Sequence, residues 1–168
     1  DRLISKLRNV YDNCATRVDE MGFADTPPGI IHGDWHPGNM LFNDEKIVAV
    51  LDFDSLKIAP LEIDLANALL QFSIVAGRPN PAHWPPYLHQ ERIEQFLSGW
   101  KAADFPKNCR WAAICDLMIE ALIAEALAPV AQTGKFGHVE GFDFLKMIYN
   151  KCRWIERHSE KLETILTD

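Results

Sequence analysis

Apolar residues recur at steps of three and four along the first part of the chain, the spacing that gathers side chains on one face of a helix. The residues on this face are Leu3, Ile4, Leu7, Val10, Tyr11, Cys14, Val18 and Met21. Gly22 follows them and is a helix stop signal. The pattern therefore predicts an amphipathic helix that ends at Gly22, followed by a loop rich in proline and glycine over residues 25–29.

Two apolar, β-prone runs come next, Met40–Phe42 and Ile47–Leu51, and the polar residues 43–46 separate them. This pattern is typical of an antiparallel β-hairpin. Asn39 directly precedes the first predicted strand, and Asp52 directly follows the second. Pairing of the strands would place these two side chains next to each other, roughly 5 Å apart across the ladder.

The rest of the chain is predicted to be helical. Asp64 can cap a helix that runs to about Ala76 and stops at Gly77. Apolar residues on nearly all sides of this helix predict that it is buried at the centre of the domain. The expected fold class is α+β, mainly α, with a short hairpin. Further helices are predicted over 88–103, 107–131 and 141–166, with a proline-rich loop over 78–86 and a glycine-rich interruption over 134–137.

Length and charge narrow the classes of function. The chain has 168 residues, of which 48% are hydrophobic, so it can bury a core as one domain or one lobe. With 17 basic and 24 acidic residues the net charge is −7, which argues against nucleic acid or a membrane surface as partner, because both are anionic. A cationic or neutral substrate fits this balance better.

The cysteines indicate the cellular compartment in which we expect the protein. Cys14, Cys109, Cys115 and Cys152 show neither the paired spacing of a zinc site nor the density of a secreted disulfide scaffold. We expect reduced thiols and a cytoplasmic protein, and no signal-peptide pattern opens the sequence. The longest apolar stretch, over 111–128, contains three acidic residues and is not expected to span a bilayer.

The residues that carry chemistry lie in two short segments, His32–Asn39 and the triplet Asp52-Phe53-Asp54. Mg²⁺ prefers a few carboxylate or amide oxygens and completes its shell with water and substrate phosphate, which suits Asp52 and Asn39. Asp34 lies on a turn-rich loop that can direct its carboxylate towards the same end of the hairpin. Asp34 is then a candidate base, and the arrangement indicates phosphoryl transfer.

The motif has a known counterpart. A His-x-Asp sequence with Asn five residues later, and an Asp-Phe pair after a strand, is similar to the catalytic and metal loops of protein kinases. More closely, the run His-Gly-Asp-Trp-His-Pro-Gly-Asn over 32–39 resembles the aminoglycoside phosphotransferase and choline kinase family. The direct resemblance covers about residues 29–70.

The resemblance implies a role for each matching residue. Asp34 would orient and deprotonate the acceptor hydroxyl, while Asn39 and Asp52 would bind Mg²⁺, with Asp52 bridging to the phosphates of ATP. His32 would be a structural member of the loop, and Asp64 would cap the central helix and brace the catalytic loop. His36 is expected to steady the loop through a hydrogen bond rather than to take part in the reaction.

A kinase of this type also needs a strand-rich nucleotide lobe with a phosphate-covering loop and a lysine. The residues before His32 are predicted to be mainly helical and show no such pattern. We therefore expect residues 1–168 to be a single helical C-terminal kinase-like lobe, with the catalytic and metal loops within 30–56 and the substrate-side helices over 62–168. The N-terminal nucleotide lobe of the same protein would be missing, and the fragment alone nearly inactive.

The expected function is Mg²⁺-ATP-dependent transfer of the γ-phosphoryl group to a hydroxyl of a small molecule, such as an amino sugar or an amino alcohol. Asp116 and Glu120 are spaced to share a helix face, and either line an amine-binding pocket or face solvent. Two other classes stay open. One is a catalytically silent kinase-like binding module, and the other is a Mg²⁺-dependent hydrolase of phosphate esters.

Overall fold

Helices dominate the computed structural model, which describes residues 2–103 and 109–167. Within this part, the α-helices are α1 (Arg2–Glu20), α2 (Glu62–Ser73), α3 (Gln90–Ala102), α4 (Ile114–Thr133), α5 (Gly141–Arg157) and α6 (Ser159–Thr167). The strands pair as three small antiparallel sheets: β1 (Pro28–Ile31) with β4 (Lys57–Pro60), β2 (Met40–Asn43) with β3 (Lys46–Val50), and β5 (Lys135–Phe136) with β6 (Val139–Glu140). The expected class, α+β and mainly α, is confirmed.

The first helix forms as its apolar spacing predicts. Its buried residues Leu7, Val10, Cys14 and Val18 follow the three-and-four rhythm and pack α1 against α4 and α5. The chain leaves the helix at Gly22, which adopts the left-handed conformation with φ 66°. Glycine suits this position because it has no Cβ to clash there.

Helix α2 lies at the centre of the core, between α3 and α4. Leu65, Leu69 and Leu70 are buried in it, as its nearly all-round apolar surface predicts. The helix starts two residues before the predicted start and ends at Ser73 rather than near Ala76. It ends early because Ile74 pairs with Leu88 in an isolated antiparallel bridge, so a tertiary contact overrides the local helical pattern.

Two helix boundaries in the second half differ from the expectation. The predicted helix over 141–166 is wrong: it is two helices, α5 and α6, and His158 between them leaves helical geometry with φ −119° and ψ 13°. The predicted start of the preceding helix at Lys107 lies outside the described residues. In the described part, Trp111–Ala113 forms a 3₁₀ turn and α4 begins at Ile114.

The predicted hairpin is present as β2 and β3, with a short turn in which Asp44 has φ 54°. Strands β1 and β4 are not evident from the sequence because each is only four residues long and its partner is distant in the chain. Their pairing joins Pro28 to Pro60 and Ile31 to Lys57. Both ends of the segment that carries the motif are thereby held in one small sheet beside α2.

The outer surface of these two sheets is strongly apolar. Ile30 and Ile58 face each other across β1 and β4 and are 73% and 76% exposed. The neighbouring exposed residues are Leu41, Phe42, Ile47, Val48, Leu51, Phe53 and Leu56. Large apolar side chains exposed in this number are typical of an interaction surface rather than of a solvent-facing sheet. We call these nine residues the apolar sheet face.

No helix in 2–103 or 109–167 is long and apolar enough to cross a membrane. The four cysteines are free thiols, and Cys14, Cys115 and Cys152 are buried. Burial raises the pKa of the Cys115 and Cys152 thiols to about 12. These thiols are therefore protonated packing residues near neutral pH, as expected from their spacing.

Lys151 is an unusual buried residue. It is 0% exposed on α5, and its Nζ donates a hydrogen bond to the carbonyl oxygen of Pro85 at 3.0 Å. Burial lowers its pKa from the ordinary value of 10.5 to about 8. The hydrogen bond holds the proline-rich loop against the core. Removing the Lys151 amine from water opposes this gain in free energy.

Replacing Lys151 by Met should remove a pH dependence of stability. Between pH 8 and 10.5 the unfolded chain binds more protons at this position than the folded chain, so Lys151 makes the free energy of unfolding rise with pH in that window. Urea denaturation at several pH values would measure the free energy of unfolding of the wild type and of Lys151→Met. The wild-type value minus the variant value should increase with pH between pH 8 and 10.5. The cysteine thiols are present in both proteins, so their contribution to the pH dependence of the free energy of unfolding cancels in the difference. A constant difference would contradict the lowered pKa.

Candidate active site

The loop after β1 is bound to the central helix through one carboxylate. Asp64 Oδ2 accepts a hydrogen bond from the backbone N–H of His32 at 2.7 Å, and its Oδ1 accepts one from Gly33 at 2.9 Å. Asp64 is the third residue of α2, where the helix dipole favours a negative charge. The expectation that Asp64 caps the helix is wrong, because Leu61 is the N-cap and the Asp64 carboxylate is bonded to the loop instead.

Gly33 permits a close contact between two loops. It has φ 79°, and a Cβ at this position would lie 2.4 Å from the carbonyl oxygen of Ser55. Ser55 ends the 3₁₀ turn Phe53–Ser55 that follows Asp52. The turn that carries the second half of the motif therefore packs directly on the backbone of the first half.

His32 adds a second connection between the two halves. It is buried, and its Nε2 lies 2.9 Å from the carbonyl oxygen of Leu51, the residue before Asp52. Its ring packs against Phe53 with centroids 5.0 Å apart and against Trp35 at 5.4 Å. In the neutral ring the proton is on Nε2, because only a protonated nitrogen can donate to a carbonyl. The side chain thus links the loop to the end of β3.

Asp34 and Asn39 form the closest polar pair of the site. Asn39 Nδ2 donates to the backbone oxygen of Asp34 and to its carboxylate Oδ2, both at 3.0 Å. The Asn39 side-chain nitrogen is thus directed at Asp34, and the orientation of the amide leaves its Oδ1 for another ligand. The Asp34 carboxylate keeps Oδ1 for a donor outside this pair.

His36 stabilises the same turn. Its Nδ1 accepts a hydrogen bond from the backbone N–H of Gly38 at 3.0 Å, and its Nε2 lies 3.4 Å from Asp34 Oδ2. The second contact is longer than a usual hydrogen bond. With Nδ1 as an acceptor, a neutral ring carries its proton on Nε2, facing the carboxylate.

The relation between Asn39 and Asp52 differs from the expected one. The strand register continues so that the backbone N–H of Leu51 donates to the carbonyl oxygen of Asn39 at 2.8 Å, and Asp52 lies one residue beyond this pair. Asp52 is exposed and has the left-handed conformation with φ 60° and ψ 67°. Such a conformation is strained for a residue with a Cβ and is common at functional sites. The two residues are therefore diagonal neighbours at the hairpin end.

These donors fit a hard cation. Asn39 Oδ1 and the Asp52 carboxylate are oxygen ligands, and Mg²⁺ typically binds one or two protein oxygens together with water and phosphate. A cluster of three or more His, Cys, Asp or Glu residues suited to a metal does not occur in the described ranges. The donor set thus suits Mg²⁺ brought with a phosphate substrate better than a tightly held structural metal.

A cavity of about 460 Å³ opens beside this loop, between α1, α2 and α4. Its wall includes Tyr11, Asp19, Gly33, Asn67, Glu120 and Glu125. Its volume lies in the range of small-molecule sites. Gly33 belongs to both the cavity wall and the catalytic loop, so the cavity adjoins Asp34.

Of the two acidic residues expected to face a substrate, the structure places only Glu120 at this cavity. Asp116 is buried and binds the Arg17 guanidinium through both oxygens, with Nη2 at 2.5 Å from Oδ1 and Nε at 2.9 Å from Oδ2. The expectation for Asp116 therefore needs correction, because a bidentate ion pair with the half-buried Arg17 already uses its carboxylate.

Glu125 is a further residue of the cavity, and its five-residue spacing from Glu120 places it less well on the same helix face. It lies at the cavity rim, where nearby protein reduces the hydration of its carboxyl and the Asp34 charge adds to the effect. Together these raise its pKa to about 7, while the hydrogen bond from Gln71 Nε2 at 3.0 Å lowers it. Reduced hydration, with the charges of Asp116 and Asp19, also raises the pKa of Glu120. Acidic groups therefore accumulate on the Asp34 side of the cavity.

Replacing Gly33 by Ala should destabilise the protein. The added Cβ meets a backbone oxygen at 2.4 Å, and the positive φ is unfavourable for alanine. We expect a loss of about 2–4 kcal/mol in the free energy of unfolding. The matched control is Gly99→Ala on α3, where a Cβ meets nothing within 4 Å. There we expect a gain of about 0.5–1 kcal/mol from helix propensity.

Both changes are measurable by urea denaturation of the purified variants. Equal changes in the free energy of unfolding of Gly33→Ala and Gly99→Ala would contradict the close packing of Gly33 on Ser55.

Comparison with known proteins agrees with this geometry. The family model of the phosphotransferase enzyme family, APH, matches residues 2–106, more than half of the chain and all of the loop, the hairpin and α2. A search of curated proteins found no match to the chain. The resemblance of residues 32–39 to the aminoglycoside phosphotransferase and choline kinase family is confirmed, and the chain belongs to the phosphotransferase enzyme family.

Proposed function

We propose that the protein transfers the γ-phosphoryl group of Mg²⁺-ATP to a hydroxyl group of a small molecule. The observation that carries this proposal is the pair of hydrogen bonds from Asn39 Nδ2 to Asp34. The Asp34 carboxylate can accept a proton, and the Asn39 side chain presents its amide oxygen to a cation. Asp52 supplies a carboxylate at the same end of the hairpin.

Asp34 is the proposed base. The Asn39 amide donates a hydrogen bond to Asp34 Oδ2, so Asp34 Oδ1 is left to accept the proton of the acceptor hydroxyl. The hydroxyl oxygen then forms the new bond to the γ-phosphorus, and the bond from that phosphorus to the bridging oxygen of ADP breaks. The positions of Gly33 and the adjacent cavity favour approach of the acceptor from the α1, α2 and α4 side.

Asn39 and Asp52 are the proposed Mg²⁺ ligands. The Asn39 amide cannot rotate without losing both bonds to Asp34, so its oxygen is oriented in advance. Asp52 is exposed and its side chain forms no cap hydrogen bond, which leaves the carboxylate available. When bound, Mg²⁺ would neutralise the negative charge of the phosphates.

The apolar sheet face supports the proposal that a second lobe of the same protein covers this surface. A nucleotide lobe on this side would lie next to Asn39 and Asp52 at the hairpin end, where the phosphates must be held. Burial of residues such as Ile30 and Ile58 would stabilise that contact. Residues 1–168 would then be a C-terminal lobe with little activity when isolated. The free, protonated thiols fit a cytoplasmic location.

The substitution Asp34→Asn should lower turnover by about two orders of magnitude or more in the full-length protein, the scale typical of a positioned general base. Mg²⁺-dependent ATP consumption across amino sugars, amino alcohols and sugars would measure it. Asp44→Asn is the matched control, because it makes the same change at the hairpin turn, where asparagine tolerates the positive φ. Near-normal turnover of the Asp34 variant would exclude this role.

The same assay separates the kinase from the other two classes. Acceptor-stimulated ATP consumption supports a kinase, phosphate release from esters without ATP supports a hydrolase, and nucleotide binding without turnover supports a silent binding module.

The substitution Asp52→Gly should weaken the Mg²⁺ dependence of nucleotide binding while keeping the fold. Glycine adopts the left-handed conformation of this position without strain, so loss of the carboxylate is the main change. Mg²⁺ titrations of nucleotide binding to the full-length protein would show a higher metal concentration at half-saturation. An unchanged titration curve would count against Asp52 as a ligand.

A further inference from the structure

A further cavity, of about 280 Å³, lies along the second half of α5 and extends to the end of the proline-rich loop at Pro86. It shares no lining residue with the cavity beside Asp34. Arg153, Arg157 and His158 line it, and no Asp or Glu is among its described lining residues. We call it the α5 pocket. The whole chain has a net charge of −7, so this basic pocket is a local exception, and its charge attracts anions.

The two arginines are placed to bind one ligand together. Arg153 and Arg157 are four residues apart on α5, so their side chains share one side of the helix, where their like charges repel each other. Arg153 Nη1 donates a hydrogen bond to Glu156. The Arg157 side chain is exposed and forms no hydrogen bond or ion pair with any residue in 2–103 or 109–167. A bound anion would offset the repulsion and pair with the Arg157 guanidinium.

Further donors surround the arginines. His158 Nδ1 lies 2.8 Å from the carbonyl oxygen of Trp154 and donates to it, which leaves Nε2 for a ligand when the ring is protonated. The ring stacks on Trp154 with centroids 4.3 Å apart, so its position is fixed. Tyr149 also lines the pocket, and Lys6 Nζ of α1 lies 5.3 Å from the centre of the Tyr149 ring. Several positive or hydrogen-bond-donating groups therefore meet at this pocket.

The buried amine of Lys151 is an independent observation that favours an anion. Its Nζ donates to the carbonyl oxygen of Pro85, and the next residue, Pro86, lines the α5 pocket. Within the described ranges this ammonium group has no carboxylate partner, and burial alone lowers its pKa. A buried charge without a counter-charge costs free energy. An anion in the α5 pocket would bring a negative charge to this part of the molecule.

The charge and the donors favour phosphate over carboxylate. A phosphate monoester carries a charge of about −1.5 to −2 near neutral pH and has three acceptor oxygens, whereas a carboxylate carries a single charge and has two. The planar guanidinium groups of Arg153 and Arg157 match the geometry of phosphate oxygens. The volume of the pocket is just below the range of drug-sized ligands, which indicates a small molecule.

We infer that the α5 pocket binds a phosphate dianion, either free or as the monoester of a small molecule, with Arg153 and Arg157 as its main partners and His158 as a further donor. This site is additional to the proposed active site, and the inference does not depend on the proposed function.

Isothermal titration calorimetry of the full-length protein tests the inference. The protein is dialysed free of divalent cations, so that the proposed catalytic site has no Mg²⁺ to hold phosphate. The titrants are glycerol 3-phosphate, inorganic phosphate and glycerate, at one ionic strength and at about pH 7.5, where the phosphate ester is a dianion. Glycerol 3-phosphate should bind about tenfold or more tightly than glycerate, the matched carboxylate.

Variants assign the binding to the α5 pocket. Arg157→Gln and Arg153→Gln should each weaken binding of glycerol 3-phosphate by about tenfold or more, because each removes hydrogen bonds between charged groups. Arg92→Gln, at an exposed position on α3 outside the pocket, removes the same charge and should bind as the wild type does. Thermal melting shows that each variant is folded. Should Arg153→Gln fail to fold, the exposed Arg157 carries the test.

Each outcome decides the inference. Absence of binding by both phosphates overturns it, and so does glycerate that binds as tightly as glycerol 3-phosphate. Binding that Arg157→Gln leaves unchanged also overturns it, because the phosphate would then bind elsewhere. With the expected loss in the variants, tighter binding of glycerol 3-phosphate than of inorganic phosphate supports a phosphate ester as the ligand, and the reverse order supports free phosphate.

Discussion

The candidate active site depends on the two hydrogen bonds that Asp64 accepts from the backbone of His32 and Gly33. Hydrogen bonds to a carboxylate are stronger than those between neutral groups. They connect a loop with little apolar surface of its own to the most buried helix of the core. Asp34 is the next residue along the chain, so its position relative to that helix is set by these bonds. The left-handed Gly33, whose backbone packs closely on Ser55, is one of the two residues held by these bonds.

From this anchor the site extends along short, local interactions. The backbone bond between Leu51 and Asn39 sets the end of the hairpin, and the Asn39 amide then orients itself on Asp34. His32 packs between the two segments and bonds to Leu51. Asp34, Asn39 and His32 are therefore positioned by hydrogen bonds to their neighbours rather than by loop shape alone. This is the preorganisation that a transferred phosphoryl group requires.

Negative charge is concentrated at and near the cavity beside Asp34, and the fold accommodates it in two ways. Asp116 is neutralised by the bidentate ion pair with the half-buried Arg17. Glu120 and Glu125 form no ion pair within residues 2–103 and 109–167, and their raised pKa values reflect reduced hydration and neighbouring acids. The proposed Mg²⁺ would offset part of this negative charge, because it would bind at the hairpin end. The apolar sheet face is exposed to water, and the proposed second lobe would cover it.

Local patterns in the sequence determined the helices with regular apolar spacing, the β2–β3 hairpin and the motif residues, because these depend on neighbours a few positions apart.

Local patterns did not predict the features that depend on contacts between residues far apart in the chain. The Ile74–Leu88 bridge ends α2 early, and the β1–β4 sheet pairs two four-residue strands. Asp64 bonds to the loop instead of capping its helix. The register pairs Asn39 with Leu51 and places Asp52 one residue further on, although the positions of Asn39 and Asp52 at the ends of the two predicted strands had indicated that they lie side by side. Helix spacing grouped Asp116 with Glu120, but only the packing of α1 against α4 shows that Arg17 pairs with Asp116 and that Asn67, Glu120 and Glu125 share one cavity. Which polar side chains are paired and which are left for a ligand is a property of tertiary packing, because it depends on atoms that the chain brings together from far apart.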